Sequence, residues 1–232
     1  MKSGRFQKTY DCIDAIKNSK VTVNDKVITN PSHFFNSKKD LVKFNKKKLK
    51  IISNLYFIMN KPAGYVSQKS NEEKTIYGLL KDLNLPKESI QSLHAVGRLD
   101  KDTEGLLLLT NDGKLSNLIM DPKSEIIKKY YLTLEKPVNK EKIKVLEKGI
   151  VLEIDYEKYK TMPCKIKIVG EKEIYISISE GKKRQIRLMF ESIDNKVNYL
   201  KRVSIGGLQL GKLNSGEIKQ ITREEIMEKL EI

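Results

Sequence analysis

The stretch His94-Ala95-Val96-Gly97-Arg98-Leu99-Asp100-Lys101-Asp102-Thr103-Glu104-Gly105-Leu106-Leu107-Leu108-Leu109-Thr110-Asn111-Asp112-Gly113 decides how the rest of the chain is read. A charged turn, Arg98 to Glu104, lies between two apolar runs with strand character. Gly97 and Gly105 flank it, and Asn111-Asp112-Gly113 closes the second run with a turn signal. The four leucines 106–109 are too few to cross a membrane and read as a strand buried on both faces. Arg98 and Asp100 therefore stand two residues apart on a loop between rigid elements, where functional residues are concentrated.

Three readings of the turn compete on residue types alone. In the first, its charges are solvated and satisfy one another. The second is a calcium loop, because Asp100, Asp102 and Glu104-Gly105 imitate one. It fails, since Asn111 occupies the position that needs a bidentate Glu and the flanks are strands rather than helices. The third is a catalytic carboxylate beside an arginine.

The whole string selects the third. Gly97-Arg98-Leu99-Asp100, followed by Thr103, Gly105 and the leucine run to Thr110-Asn111-Asp112-Gly113, resembles the signature of the RsuA family of RNA pseudouridine synthases. Met59-Asn60-Lys61-Pro62-Ala63-Gly64 is similar to the family's entry strand and turn. Lys128-Lys129-Tyr130 resembles its Lys-x-Tyr motif, and Glu180-Gly181-Lys182-Lys183-Arg184-Gln185-Ile186-Arg187 its late basic helix. The resemblance runs from about residue 15 to the C-terminus.

It implies a chemistry. Uridine becomes pseudouridine when the bond from N1 to C1′ breaks, the base turns, and C5 joins C1′. Nothing is gained or lost overall, so neither a cofactor nor a metal is expected. A carboxylate near C1′ and an extruded base on an aromatic platform are needed. The resemblance assigns Asp100 as the carboxylate, Tyr130 as the aromatic platform and candidate base, and Arg187 as the cation beside the aspartate. Ile186 would buttress the Tyr130 ring. Arg98, Lys128, Lys183 and Arg184 are the expected RNA-binding residues. The implied partner is ribosomal RNA, free or in a pre-ribosomal particle, with the small-subunit RNA favoured by the motif spelling. The alternatives are a large-subunit synthase of the same family and a non-catalytic RNA-binding assembly factor.

Composition agrees. The 232 residues carry a net charge of +15, yet residues 1–50 hold 12 Lys and one Arg against four Asp, a net of +9. That asymmetry points to a polyanion-binding appendage on a nearly balanced body. No apolar run approaches a membrane span and the first residues show no signal peptide. Cys12 and Cys164 read as two reduced thiols, which suits a cytoplasmic protein, and with His33 and His94 they form no metal-ligand cluster. A monomer is expected.

In chain order, residues 8–20 predict a short helix, 21–28 a hairpin turning at Asn24-Asp25, and 41–44 a strand. This segment resembles a small S-four-like RNA-binding domain in reduced form, so the expected domains are 1–51 and 52–232. Beyond the boundary the patterns predict a strand at 55–59 and a helix at 75–83. A helix through Leu115 and Ile119 capped by Asn111 or Asp112 follows, with a strand at 126–134 that puts Lys128 and Tyr130 on one face. Then come a helix at 139–148, strands at 164–169 and 173–179, and a helix from Gly181 through Ile193 with Lys183, Arg184 and Arg187 on its first turns. Strands at 196–204, 207–212 and 217–221 and a helix at 223–230 finish the chain. The succession is an α+β fold with a large, mixed but mostly antiparallel sheet flanked by helices, the pseudouridine-synthase fold.

Overall fold

The computed structural model describes residues 9–36, 39–49, 52–71 and 74–232. Residues 1–8, and with them the charged start and the first residue of the expected opening helix, lie outside the described residues, as does position 51 at the expected boundary.

Helix α1 (Thr9–Lys17) leads into strands β1 (Val21–Val23) and β2 (Lys26–Ile28). Asn24 and Asp25 take left-handed φ values of 50° and 65°, as a tight two-residue hairpin requires. Strands β3 (Val42–Phe44) and β4 (Lys47–Lys48) complete a small sheet of order β2-β1-β3-β4. Among its described residues only Ala15 and Val21 are buried apolar groups, so the core is thin. Lys46, Lys47 and Lys48 stand exposed on its last hairpin.

The larger body begins with β5 (Tyr56–Lys61), α2 (Ile76–Leu79) and α3 (Lys87–Ser92). It continues through β6 (His94–Val96), β7 (Glu104–Thr110), α4 (Gly113–Met120), β8 (Lys128–Leu134) and α5 (Lys140–Glu147). Next come β9 (Val151–Ile154), β10 (Glu157–Lys160), β11 (Lys165–Ile168), β12 (Glu173–Ile178) and α6 (Gln185–Glu191). The end is β13 (Val197–Ile205), β14 (Leu208–Gln209), β15 (Ile218–Gln220) and α7 (Arg223–Leu230). Nine strands form one sheet, in the order β11-β12-β8-β13-β7-β5-β15 with β14 on β13 and β6 on β7, and β9–β10 stand apart as a hairpin.

Side-chain alternation divides the core between the two faces of the sheet. Met59, Leu107, Leu109, Tyr130, Leu132 and Ile176 pack with α5 and α6 residues such as Ile143, Ile186 and Phe190. Ile58, Leu106 and Leu108 pack on the other face with Leu115 and Ile119 of α4 and Ile226 of α7. All four leucines 106–109 are 0% exposed, as their unbroken apolar run predicts. Asp112 caps α4 by accepting from the Leu115 N–H, and Asn139 caps α5 by accepting from the N–H groups of Glu141 and Lys142.

Two expectations need correction, and one element was not foreseen. The helix at 75–83 is one α turn, Ile76–Leu79, continued as a 3-10 turn over Leu80–Asp82. Residues 151–160, for which the sequence predicted no element, fold as the β9–β10 hairpin. The late basic helix starts at Gln185, not after Gly181. Arg184 sits at φ 52°, outside helical space, and the Gln185 side chain folds back to accept from the Lys182 N–H. Lys183 and Arg184 therefore belong to the loop before α6, and only Arg187 is on the helix.

One parallel seam joins the two halves of the sheet: Lys201 pairs with Glu104 and Arg202 with Gly105. Arg202, buried under the seam, donates through Nε to the Leu106 carbonyl at 2.7 Å, and the Tyr199 hydroxyl donates to Glu104 at 2.8 Å. Gly105 lies at φ 106°, and a Cβ there would come within 2.2 Å of the Arg202 carbonyl oxygen. Only glycine permits this approach. Gly105→Ala should therefore cost about 3 kcal/mol or more in urea unfolding. Gly97→Ala, at φ 70° with nothing within 4 Å, should cost about 1 kcal/mol. Equal, small losses would show that the seam yields.

Candidate active site

The loop from Gly97 to Thr103 leaves β6 and returns as β7, and its backbone is tied on both sides of Asp100, at Leu99 and at Lys101 and Thr103. Ser67 donates its hydroxyl to the Leu99 carbonyl at 2.8 Å and accepts from the Leu99 N–H at 3.1 Å. The Thr103 N–H closes a turn on the Asp100 carbonyl, and the Gly64 N–H reaches the Lys101 carbonyl at 2.8 Å. Leu99 is buried, which pins the loop from beneath.

Lys61 is the central tie. It ends β5, is 0% exposed, and donates from Nζ to the carbonyls of Pro62, Lys101 and Thr103 at 3.0, 3.1 and 2.7 Å. All three ammonium protons are thereby used. Burial lowers its pKa to about 8, opposed by the nearby charges of Asp102, Glu104 and Asp100.

The expected site residues meet at a cleft. Arg98, Asp100, Tyr130, Arg184, Ile186 and Arg187 line one hollow of about 70 Å³. A neighbouring hollow of about 420 Å³ shares Lys182 and adds Ser67, Gln68 and Lys183. A third, of about 140 Å³, adds Lys128, Glu180 and Arg202. Arg98 and Gly181 belong to all three, so they form one branched groove.

The Asp100 carboxylate is half-buried and has no hydrogen-bond or ion-pair partner among the described residues. Tyr130 is 7% exposed, yet its hydroxyl is neither bonded nor sealed off, so it opens to the groove. Lys128 shares its face, donates to the Ser179 carbonyl at 3.1 Å, and has its pKa lowered by burial and by Arg202. Arg98 is exposed and its guanidinium donates to Gln68 Oε1 at 3.3 Å.

The expected pairing of Arg187 with Asp100 is not made in this state. Arg187 Nη1 donates to the Val197 carbonyl at 2.9 Å, its Nε is buried without a partner, and no ion pair joins it to Asp100 among the described residues. The carbonyl at the start of β13 holds the guanidinium on the wall instead. Among the described residues no group of three or more side chains is placed to hold a metal ion.

A family model described as RNA pseudouridylate synthase matches residues 55–192, a span that contains the cleft loop, Tyr130 and α6. The chain belongs to this family. It is similar to the ribosomal large subunit pseudouridine synthase B of Bacillus subtilis (strain 168), 37% identical over 92% of this chain and 86% of the relative. It is also 34% identical to the ribosomal small subunit pseudouridine synthase A of Vibrio cholerae serotype O1, over 91% of this chain and 89% of the relative. A crystal structure of a pseudouridylate synthase superimposes with a TM-score of 0.70 at 35% identity, covering 96% of this chain and 94% of that one. The chain is an RNA pseudouridine synthase with that family's fold.

The sequence placed Lys61 and Glu180 in motifs without giving either a job, and it did not mark Ser67 or Arg202. The available signal for Lys61 was a lysine closing an apolar strand, Tyr56 to Asn60, where only a paired charge is tolerated. In this synthase Lys61→Met would take a donor from three interior carbonyls, of which that of Lys101 keeps the Gly64 N–H. Thermal or urea unfolding should show a loss of about 3 kcal/mol or more. The folded pKa lies below the unfolded value of 10.5, so between about 8 and 10.5 the unfolded chain binds more protons and Lys61 adds stability as pH rises. Wild type should therefore gain on the Met variant across that window. A difference independent of pH there would show that Lys61 does not titrate early.

Proposed function

We propose that this synthase isomerises a uridine of ribosomal RNA to pseudouridine, with Asp100 as the carboxylate acting at C1′. The observation that carries this reading is a partner-free carboxylate, on a loop whose neighbouring carbonyls are fixed, that lines one hollow with a buried tyrosine whose hydroxyl is open. The uridine leaves the stack and lies against the Tyr130 ring, which Ile186 supports from the same core. Asp100 attacks C1′, or stabilises positive charge there, as the C1′–N1 bond breaks. The detached uracil turns and C5 bonds to C1′. The proton on C5 is lost and N1 gains one, so atoms and charge balance. In an elimination variant of this scheme the Tyr130 oxygen passes its own proton to the departing N1, takes one from C2′, and returns it to C2′ as C5 bonds to C1′. Arg187, with an unused N–H, turns toward the carboxylate or a phosphate when RNA fills the groove.

Arg98, Lys128, Lys183 and Arg184 supply phosphate contacts around the groove. Such contacts set register and orientation rather than sequence. The exposed lysines of residues 9–49 make that unit a second, S-four-like RNA contact, with the catalytic domain following from residue 52. We assign the protein to the cytoplasm as a monomer. Among the described residues no helix is long and apolar enough to cross a membrane.

Spelling of the central turn favours small-subunit RNA. The 37% identity to the large-subunit synthase of Bacillus subtilis favours the other subunit. Mapping pseudouridines in both ribosomal RNAs, from cells with and without the protein, decides between them. One uridine should lose its modification, and the wild-type gene but not Asp100→Asn should restore it. Tyr130→Phe should slow isomerisation by at least ~100-fold in vitro. Unchanged maps without the protein, or restoration by Asp100→Asn, would defeat the reading.

For the basic unit the test is salt dependence. With log–log slopes near −0.7 to −0.9 per neutralised phosphate, removing residues 1–50 should flatten the salt dependence of RNA binding by roughly 2 to 4 units. Equal slopes would mean that the catalytic body binds RNA unaided.

A further inference from the structure

Tyr156 is 97% exposed at the tip of the β9–β10 hairpin, the most exposed large apolar side chain among the described residues. Its backbone makes that position costly. Asp155 and Tyr156 form the two-residue turn at φ 51° and 66°, where the second residue of such turns is ordinarily glycine. A tyrosine held in left-handed space and presented to solvent is strain with no packing to offset it.

The hairpin stands outside the main sheet but is fastened to the rim of the groove. Lys183, which lines the groove with Asp100 and Arg98, makes an ion pair with Asp155 beside Tyr156. On the hairpin's return strand the Tyr159 hydroxyl donates to Glu180, and that bond with burial pushes its pKa up to about 12. Glu180 also accepts from the Met162 N–H and from Gln185, the first residue of α6. Lys182 lies 4.5 Å over the Tyr159 ring. The hairpin and the loop that carries Lys182, Lys183 and Arg184 thus form one polar-locked unit, with the exposed Tyr156 ring at its tip between Glu157 and the Asp155 that Lys183 neutralises.

We propose that Tyr156 is an RNA-stacking residue. It receives an unpaired base beside the target uridine while Lys182 and Arg184 of the adjoining loop, which line the groove, hold the flanking phosphates. The inference rests on the RNA reading of the groove and extends it beyond the reacting nucleotide. Exposed aromatic rings among cations are how proteins hold unstacked bases, and such stacking tolerates any base because each has a π face. Asp155 at the tip is paired with Lys183 and residues 155–157 do not line the hollows that hold Asp100, so the tip contributes to binding.

The test measures affinity of the full chain for transcripts of the two large ribosomal RNAs. It also follows the fluorescence of an oligouridylate carrying one 2-aminopurine, which is quenched on stacking. Tyr156→Ala and Tyr156→Gly should weaken binding by about tenfold to a hundredfold, whereas Tyr156→Phe should bind as wild type. Quenching should persist with Phe and disappear with Ala. KM should rise with unchanged kcat at saturating RNA. The thermal midpoint of Tyr156→Gly should equal or exceed that of wild type, which separates lost stacking from lost folding. Wild-type affinity and quenching in Tyr156→Ala would overturn the proposal, as would a loss in Tyr156→Phe equal to that in Tyr156→Ala. Binding and quenching without pseudouridine formation would defeat the isomerase reading and leave Tyr156 in its role.

Discussion

Lys61 is the constraint on which the site depends. One ammonium group, fully enclosed, holds the carbonyls of Pro62, Lys101 and Thr103 together and so joins the end of β5 to the loop that carries Asp100. A buried cation is tolerated only when its protons are all bonded, and here the bonds go to backbone rather than to a carboxylate. The consequence is functional. Asp102, Glu104 and Asp100 all lie close enough to act on its charge. Because carbonyls satisfy it, none of them is bonded to it, and the Asp100 carboxylate keeps no protein partner among the described residues.

The seam between β7 and β13 supplies the second half of the geometry. It brings Arg202, paired across β13 and β8 with Tyr130, against Gly105 at the exit of the Asp100 loop. A glycine at φ 106° allows the two backbones to approach where any side chain would part them. The aspartate and the tyrosine come from separate antiparallel halves of the sheet, and their spacing is set by this contact. The cleft is therefore a property of how two β units join, and the helices serve mainly to cover both faces.

How much of this could be read in advance follows from where each interaction keeps its record. Asp100 and Arg98 were legible because the turn, its glycines and the leucine run form one continuous string. The shared face of Lys128 and Tyr130 followed from strand alternation. Lys61 was not legible in role, since its partners are carbonyls up to 42 residues away and a backbone acceptor leaves no mark on residue identity. The β9–β10 hairpin escaped notice because its turn is Asp155-Tyr156 with no glycine to announce it. The start of α6 was misplaced for a related reason: Arg184 adopts φ 52°, which arginine rarely does, under the pull of the Gln185 and Glu180 hydrogen bonds. Arg187's hold on the Val197 carbonyl is likewise a backbone contact that sequence alone could not assign.

The central claim is that a backbone-fixed loop presents Asp100, free of protein partners, to the sugar of an extruded uridine. A crystal structure of the protein bound to an RNA fragment containing its target uridine tests this directly. The account predicts the uracil against the Tyr130 ring, an Asp100 carboxylate oxygen in contact with C1′, and the Lys61 bonds to the loop unchanged. A target uridine still stacked within the RNA, or a sugar lodged away from Asp100 with the carboxylate turned to a protein cation, would contradict it.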